Sequence, residues 1–129
     1  MTASNEWTDD ELVGYGDATE VEVSSRREDG SLRPYVTIWL VRVGTDLYIR
    51  SAHGPDNPWY RRAAAGGAGR IRAGGLERDV TFTHAGPGVH EDVDAAYHTK
   101  YDRYGPALVN PVVGKQAAQV TLRLLPARG

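Results

Sequence analysis

The chain has 129 residues, 40% of them hydrophobic and 25% charged, with a formal net charge of -2 and no cysteine. A length and composition of this kind fit one domain, residues 1–129, with a single core of the type found in soluble proteins. They exclude disulfides, thiolate chemistry and cysteine-ligated metal, and the slightly acidic balance argues against a dedicated nucleic-acid binder. No apolar run reaches the length of a membrane span, and the start MTASNEWTDDEL lacks the basic flank and apolar stretch of a signal peptide, so the expected compartment is the cytoplasm.

Taken in chain order, the residues read as β-rich with helices in three places. Thr8 and Glu11 have capping-box spacing, which predicts a short helix over Thr8 to Val13 ending at Gly14. Thr19 to Ser25 alternates Glu20, Glu22 and Ser24 against Val21 and Val23, a half-exposed strand. A turn at Glu28-Asp29-Gly30-Ser31 leads into Tyr35 to Val43, which is apolar on both faces and reads as one strand in the middle of a barrel or under a covering layer. Gly44-Thr45-Asp46 supplies a hairpin turn, and Asp46 to Ser51 returns antiparallel. Pro58 suits the first position of a helix over Trp59 to Ala65, stopped by Gly66-Gly67. Gly69 to Ala73, the turn Gly74-Gly75 and Leu76 to His84 form a second hairpin. Glu91 to Tyr104 is the longest helix, with acids in its first turn and a Gly105-Pro106 stop. Val120, Leu122 and Leu124 mark a closing strand. The expected fold is therefore mainly β (α+β): a six-stranded antiparallel barrel with short flanking helices, closed because closure removes exposed edges.

Charge is unevenly spread. Residues 1–31 hold nine acids against two arginines, and residues 32–78 hold eight arginines against three acids. Either the acidic N-terminal part lies across the basic middle, or part of the arginine set is reserved for a phosphate or carboxylate, which guanidinium grips in a bidentate manner. The stretch from Arg33 to Arg62 bears most directly on this choice. It brings Tyr48, Arg50 and Ser51 to the end of a strand, then a Gly/Pro loop delivers Trp59, Tyr60, Arg61 and Arg62 onto a helix. Tyr48 and Arg50 share a strand face. The His53 to Asn57 loop is too short to carry the Trp59 helix away, so cation and aromatics are expected to rim one pocket suited to a small planar anionic ligand. The competing reading pairs Arg50 with a carboxylate such as Glu20 or Glu22.

The strand order, with Tyr48-Ile49-Arg50-Ser51, Gly54 and Pro58-Trp59-Tyr60, resembles the split β-barrel of the pyridoxamine-phosphate-oxidase-like flavoproteins, above all their deazaflavin-dependent nitroreductase branch. From Trp7 to Pro126, including Asp94-Ala95-Ala96-Tyr97, Lys100-Tyr101 and Thr121-Leu122-Arg123-Leu124, the chain resembles a small bacterial family of unknown function with that fold. The resemblance implies a homodimer with flavin mononucleotide (FMN) or a deazaflavin at the subunit interface and oxidoreductase activity on a small molecule. It places Arg33, in Gly30-Ser31-Leu32-Arg33-Pro34, at a phosphate segment, Ser51 at a turn beside the cofactor, and Trp59-Tyr60 at a matching aromatic pair. Arg61-Arg62-Ala63 stands where those relatives have a His-Asn-Leu type sequence. The alternatives are a cofactor-free ligand-binding protein on the same barrel, or an acid–base enzyme using His53, the histidine nearest the cationic and aromatic cluster.

Other patterns carry less. His90, Asp94, His98 and Asp102 recur every four residues and read as the wet face of an amphipathic helix whose other face holds Val93, Tyr97, Tyr101 and Tyr104, so no metal site is expected. Gly66-Gly67-Ala68-Gly69 follows a helix instead of opening one and lacks the lysine of a phosphate loop.

Overall fold

In a computed structural model of the chain, which describes residues 6–52 and 54–127, seven strands form one antiparallel sheet rolled into a nearly closed barrel. The strands are β1 (Val21–Ser25), β2 (Val36–Ile38), β3 (Leu40–Val43), β4 (Asp46–Arg50), β5 (Ala68–Ala73), β6 (Leu76–His84) and β7 (Thr121–Pro126), in the spatial order β2-β1-β5-β6-β7-β4-β3. The expected six becomes seven because the segment read as one central strand is broken at Trp39. Its first half pairs with β1 (Val23 opposite Val36) and its second with β4 (Leu40 opposite Ile49). The two halves therefore occupy the two ends of the sheet order, and Trp39 spans the seam between them. Ile38-Trp39-Leu40-Val41 is four apolar residues in a row, a run that no period-two strand can place on a single inner face.

Side-chain alternation sorts the core into two clusters. Leu40, Leu47, Ile49, Ile71, Val80, Phe82, Leu122 and Leu124 point into the barrel. Val41 and Tyr48 point outward and are covered by Val93, Tyr97 and Tyr101 of helix α3 (His90–Tyr101). The double burial read from the sequence for Tyr35 to Val43 is thus real for Leu40 and Val41 of β3, with α3 as the covering layer. By contrast, Val36 and Thr37 of β2 are exposed.

Helix α1 (Asp9–Asp17) carries the expected capping box, with Thr8 Oγ1 accepting from the Glu11 amide and Glu11 Oε1 accepting from the Thr8 amide. It runs through Gly14, against expectation, and buries Leu12 and Tyr15 in the barrel core. Gly14 is tolerated there because its bare Cα faces the Leu76 side chain; a Cβ would lie 2.2 Å from Leu76 Cδ1. Trp7 anchors the approach to α1 by donating Nε1–H to the Leu124 carbonyl at 3.0 Å. Helix α2 (Pro58–Gly66) stops at Gly67, whose φ of 75° is the left-handed cap expected of a glycine. After α3 come a 3-10 turn (Asp102–Tyr104) and two one-turn helices, α4 (Pro106–Val109) and α5 (Lys115–Ala118), which the sequence did not signal. No helix is long and apolar enough to cross a membrane.

The acidic N-terminal part does reach the basic middle. Glu22 pairs with Arg72 at 2.9 Å and Glu11 with Arg78 at 3.2 Å.

Candidate functional site

The break at Trp39 opens a cavity of about 460 Å³ at the barrel seam, within the range of small-molecule sites. Its walls are mostly apolar and aromatic, with Ile38 and Trp39 from the seam, Trp59 from α2, and Leu108, Pro111 and Val112 from the segment after α3, and they include the polar residues Glu20, Thr37 and Asn57. Trp39 is held from behind by Tyr101, with ring centroids 4.0 Å apart and planes within 7°. Three α3 side chains also donate to backbone carbonyls at this seam. The Tyr97 hydroxyl reaches Trp39 O at 2.9 Å, Lys100 Nζ reaches Leu40 O at 2.6 Å, and the Tyr101 hydroxyl reaches Thr19 O at 2.7 Å. These carbonyls lie where the sheet ladder lapses, so α3 supplies the missing partners.

Arg50 lines the same cavity although it is 2% exposed. Its Nε donates to Thr121 Oγ1 at 2.8 Å, one terminal nitrogen donates to Asp94 and to the Val112 carbonyl, and the other donates to the His90 carbonyl. Four of the five guanidinium N–H groups are thereby committed inside the protein. The partner carboxylate is Asp94, not Glu20 or Glu22. Asp94 also accepts from the Gly114 amide at 3.2 Å, so one ion pair ties β4, α3 and the cavity-lining segment together. The supposed wet stripe of α3 is therefore split. His98 and Asp102 form an exposed pair at 2.8 Å, whereas Asp94 is half-buried where it meets Arg50. Residues four apart drift about 40° per step on an α-helix, enough to carry a stripe from solvent to the buried side.

Trp59 also borders a neighbouring depression. This second depression, of about 250 Å³, is lined by Arg33, Asn57, Pro58, Trp59 and Arg62, sharing Val36, Asn57 and Trp59 with the first. It shares Arg33, Pro58 and Arg62 with a neighbouring cleft of about 910 Å³ bordered by Arg26, Arg27 and Arg61. The three together make a groove that is apolar at one end and cationic at the other.

The structure brings Arg50 and Trp59 to the apolar end, and Arg33 and Arg61 to the cationic end. Tyr48 lies 3% exposed beneath α3, on the outer face it shares with Arg50, and lines none of these depressions. Tyr60 is buried in the barrel core with its hydroxyl 3.5 Å from the Gln119 carbonyl. Ser51 donates to the Gly54 carbonyl at 2.6 Å and borders a separate depression behind Ala52 and Pro111. His53 lies outside the described residues. Sequence reasoning did not nominate Trp39, Asn57, Arg62 or Leu108. The unbroken apolar run at 38–41 was the available signal for Trp39, and nothing local marks the others. Among the described residues, no group of three or more His, Asp or Glu side chains converges as metal ligands do.

Several solved structures share the fold. An FAD- and heme-binding protein from Mycobacterium smegmatis matches over 98% of this chain and 69% of its own, at 18% identity and a TM-score of 0.53. A conserved hypothetical protein from Mycobacterium tuberculosis matches over 98% and 84%, at 10% identity and 0.55. An FAD-binding protein from Mesorhizobium loti matches over 95% and 91%, at 15% identity and 0.52. At such identities the likeness is one of fold. No curated protein sequence matches the chain. The model of the DUF2255 family, described as an uncharacterized protein conserved in bacteria, matches residues 11–124, and the chain belongs to that family.

Proposed function

We propose that the barrel binds a flavin-type cofactor, with the flat ring system in the apolar cavity between Trp39 and Trp59 and the phosphate toward Arg33 and Arg62. The observation that carries this reading is the adjacency of an apolar cavity and an arginine-lined cleft, because a flavin is itself a flat ring system joined to an anionic tail. Two tryptophans offer stacking surface, and Arg50, its side chain fully buried, stiffens the wall beside them. Two of the structurally similar proteins are FAD-binding, and the sequence resemblance points to FMN or a deazaflavin. A bound flavin supplies electron and hydride transfer, and the chain binds and orients it, so a small-molecule oxidoreductase is the activity proposed.

The same reading includes a homodimer. Val36, Tyr104 and Leu108 are 38%, 40% and 56% exposed around the seam and the segment beyond α3, an apolar face that a second barrel would cover. A monomer by light scattering at micromolar concentration removes this part. The test of the whole is titration of purified protein with riboflavin, FMN and a deazaflavin. Quenching of the flavin or tryptophan fluorescence and a spectral shift are expected. If no flavin gives either, the oxidoreductase reading fails and a cofactor-free binding protein takes its place.

A further inference from the structure

We propose that the arginine cleft is a diphosphate site, so that the flavin held by this barrel is the dinucleotide and not the mononucleotide. The statement about the ring rests on the flavin reading above; the statement about the phosphates does not. Five arginines line the cleft, Arg26, Arg27, Arg33, Arg61 and Arg62, against one lining carboxylate, Glu28. Its volume, about 910 Å³, is roughly twice that of the ring cavity.

Except for Arg26, which shares Asp79 with Arg70, these arginines differ from the rest of the basic set in having no ion pair among the described residues. Arg70, Arg72, Arg78 and Arg123 are paired with Asp79, Glu22, Glu11 and Asp46 on neighbouring elements. Among the described residues Arg61 and Arg62 have neither an ion-pair nor a hydrogen-bond partner, and both side chains are exposed. The other three are anchored by part of their donors. Arg26 reaches the Gly30 carbonyl at 2.7 Å and Asp79 at 2.9 Å, Arg27 the Leu32 carbonyl at 3.1 Å, and Arg33 the Arg26 carbonyl at 2.9 Å. Three anchored arginines and two without partners thus line one cleft. Asp29, next to the cleft in sequence, does not neutralise it. Its carboxylate accepts from the amide and hydroxyl of Ser31 at 2.9 and 2.6 Å and closes its own turn.

One phosphate is satisfied by two or three such donors. Arg33 and Arg62 already stand where the groove leaves Trp59, at the position of a first phosphate. A mononucleotide ending there leaves Arg61 and Arg27 without an anionic partner in the cleft. A second phosphate fills that place, and the remaining volume accepts the nucleoside beyond it, whose base offers a flat face to a guanidinium.

The experiment titrates the full chain with riboflavin, FMN, FAD and ADP, at low and high salt, and repeats it with the Arg61→Gln/Arg62→Gln double variant. Arg42→Gln, on the far β3–β4 hairpin, is the control, and melting curves establish that each variant is folded. FAD is expected to bind roughly tenfold or more tightly than FMN, with the preference shrinking at high salt. ADP alone should bind and displace FAD, and the double variant should lose most of the preference. Equal binding of FMN and FAD, or a preference unchanged in the double variant, overturns the diphosphate site and leaves the flavin reading standing. Binding of ADP without any flavin overturns the flavin reading and leaves the diphosphate site standing. Silence of every ligand overturns both.

Discussion

Trp39 and Tyr101 stack face to face, 4.0 Å between ring centroids, at the residue where the chain leaves one edge of the barrel for the other. The tyrosine also donates its hydroxyl to the Thr19 carbonyl at 2.7 Å, so a single side chain of α3 supports a cavity wall and joins the start of β1 to the seam. These two roles separate by mutation. Tyr101→Phe keeps the stack and removes a part-buried hydrogen bond, and should cost about 1 kcal/mol in chemical denaturation with the tryptophan bands of the near-ultraviolet spectrum little changed. Tyr101→Leu removes the stack as well, and should both lower stability further and alter the aromatic spectrum as Trp39 loosens. Identical spectra for the two variants would show that the stack does not hold Trp39.

Arg50 is bound to the protein before any ligand arrives. Arg50→Lys keeps the charge but loses the fork that serves Thr121, Asp94 and Val112 together, so stability should fall by about 2–3 kcal/mol. Flavin affinity of the folded protein should fall by no more than roughly tenfold, the value of one hydrogen bond. Asp94→Asn should destabilise similarly, because it leaves a buried guanidinium without its counter-charge. Melting curves measured beside ligand titrations check both statements, and an unchanged melting temperature with abolished binding would make Arg50 a ligand contact first.

Lys100 gives the protein an unusual alkaline behaviour. Burial against β3 pushes its amine down to about 8, with nearby Asp17 opposing the shift. The unfolded chain therefore holds this proton more tightly than the folded one, and stability should rise with pH between about 8 and 10.5. The full effect is at most about 3 kcal/mol. Burial raises the hydroxyls of Tyr15, Tyr97 and Tyr101 far above their ordinary value, and above pH 10 they act in the opposite direction, since the unfolded chain then ionises first. Denaturation midpoints between pH 7.5 and 9.5 should climb in the wild type and stay level in Lys100→Met. A level wild-type profile refutes the assignment.

Gly69 marks a close approach of β1 and β5. A Cβ there would stand 2.2 Å from the Ser24 carbonyl oxygen and 2.6 Å from Phe82 Cε2, so Gly69→Ala must separate two paired strands or displace a core aromatic. A loss of about 2–3 kcal/mol is expected, at the upper end for overpacking. Gly86→Ala, with open space around its Cα, is the control and should change the midpoint little.

Local rules made much of this fold legible from the residues in order. The capping box at Thr8, the hairpin turns, the proline start and glycine stop of α2, and the outward and inward alternation of Leu47 to Arg50 all depend on neighbours within a few positions. For that reason sequence alone determined them. The short loop before α2 likewise determined that Arg50 and Trp59 would meet at one cavity. What only the tertiary structure decided depends on pairs distant in the chain. The break at Trp39 appears once β2 and β3 are seen to pair at opposite ends of the sheet. Asp94 takes Arg50 from 44 residues away because helical drift carries it to the half-buried side of α3. The gathering of Arg26, Arg27, Arg33, Arg61 and Arg62 around one cleft has the same origin: a turn and a helix distant in sequence are packed side by side by the barrel, and charge density in space does not follow charge density along the chain.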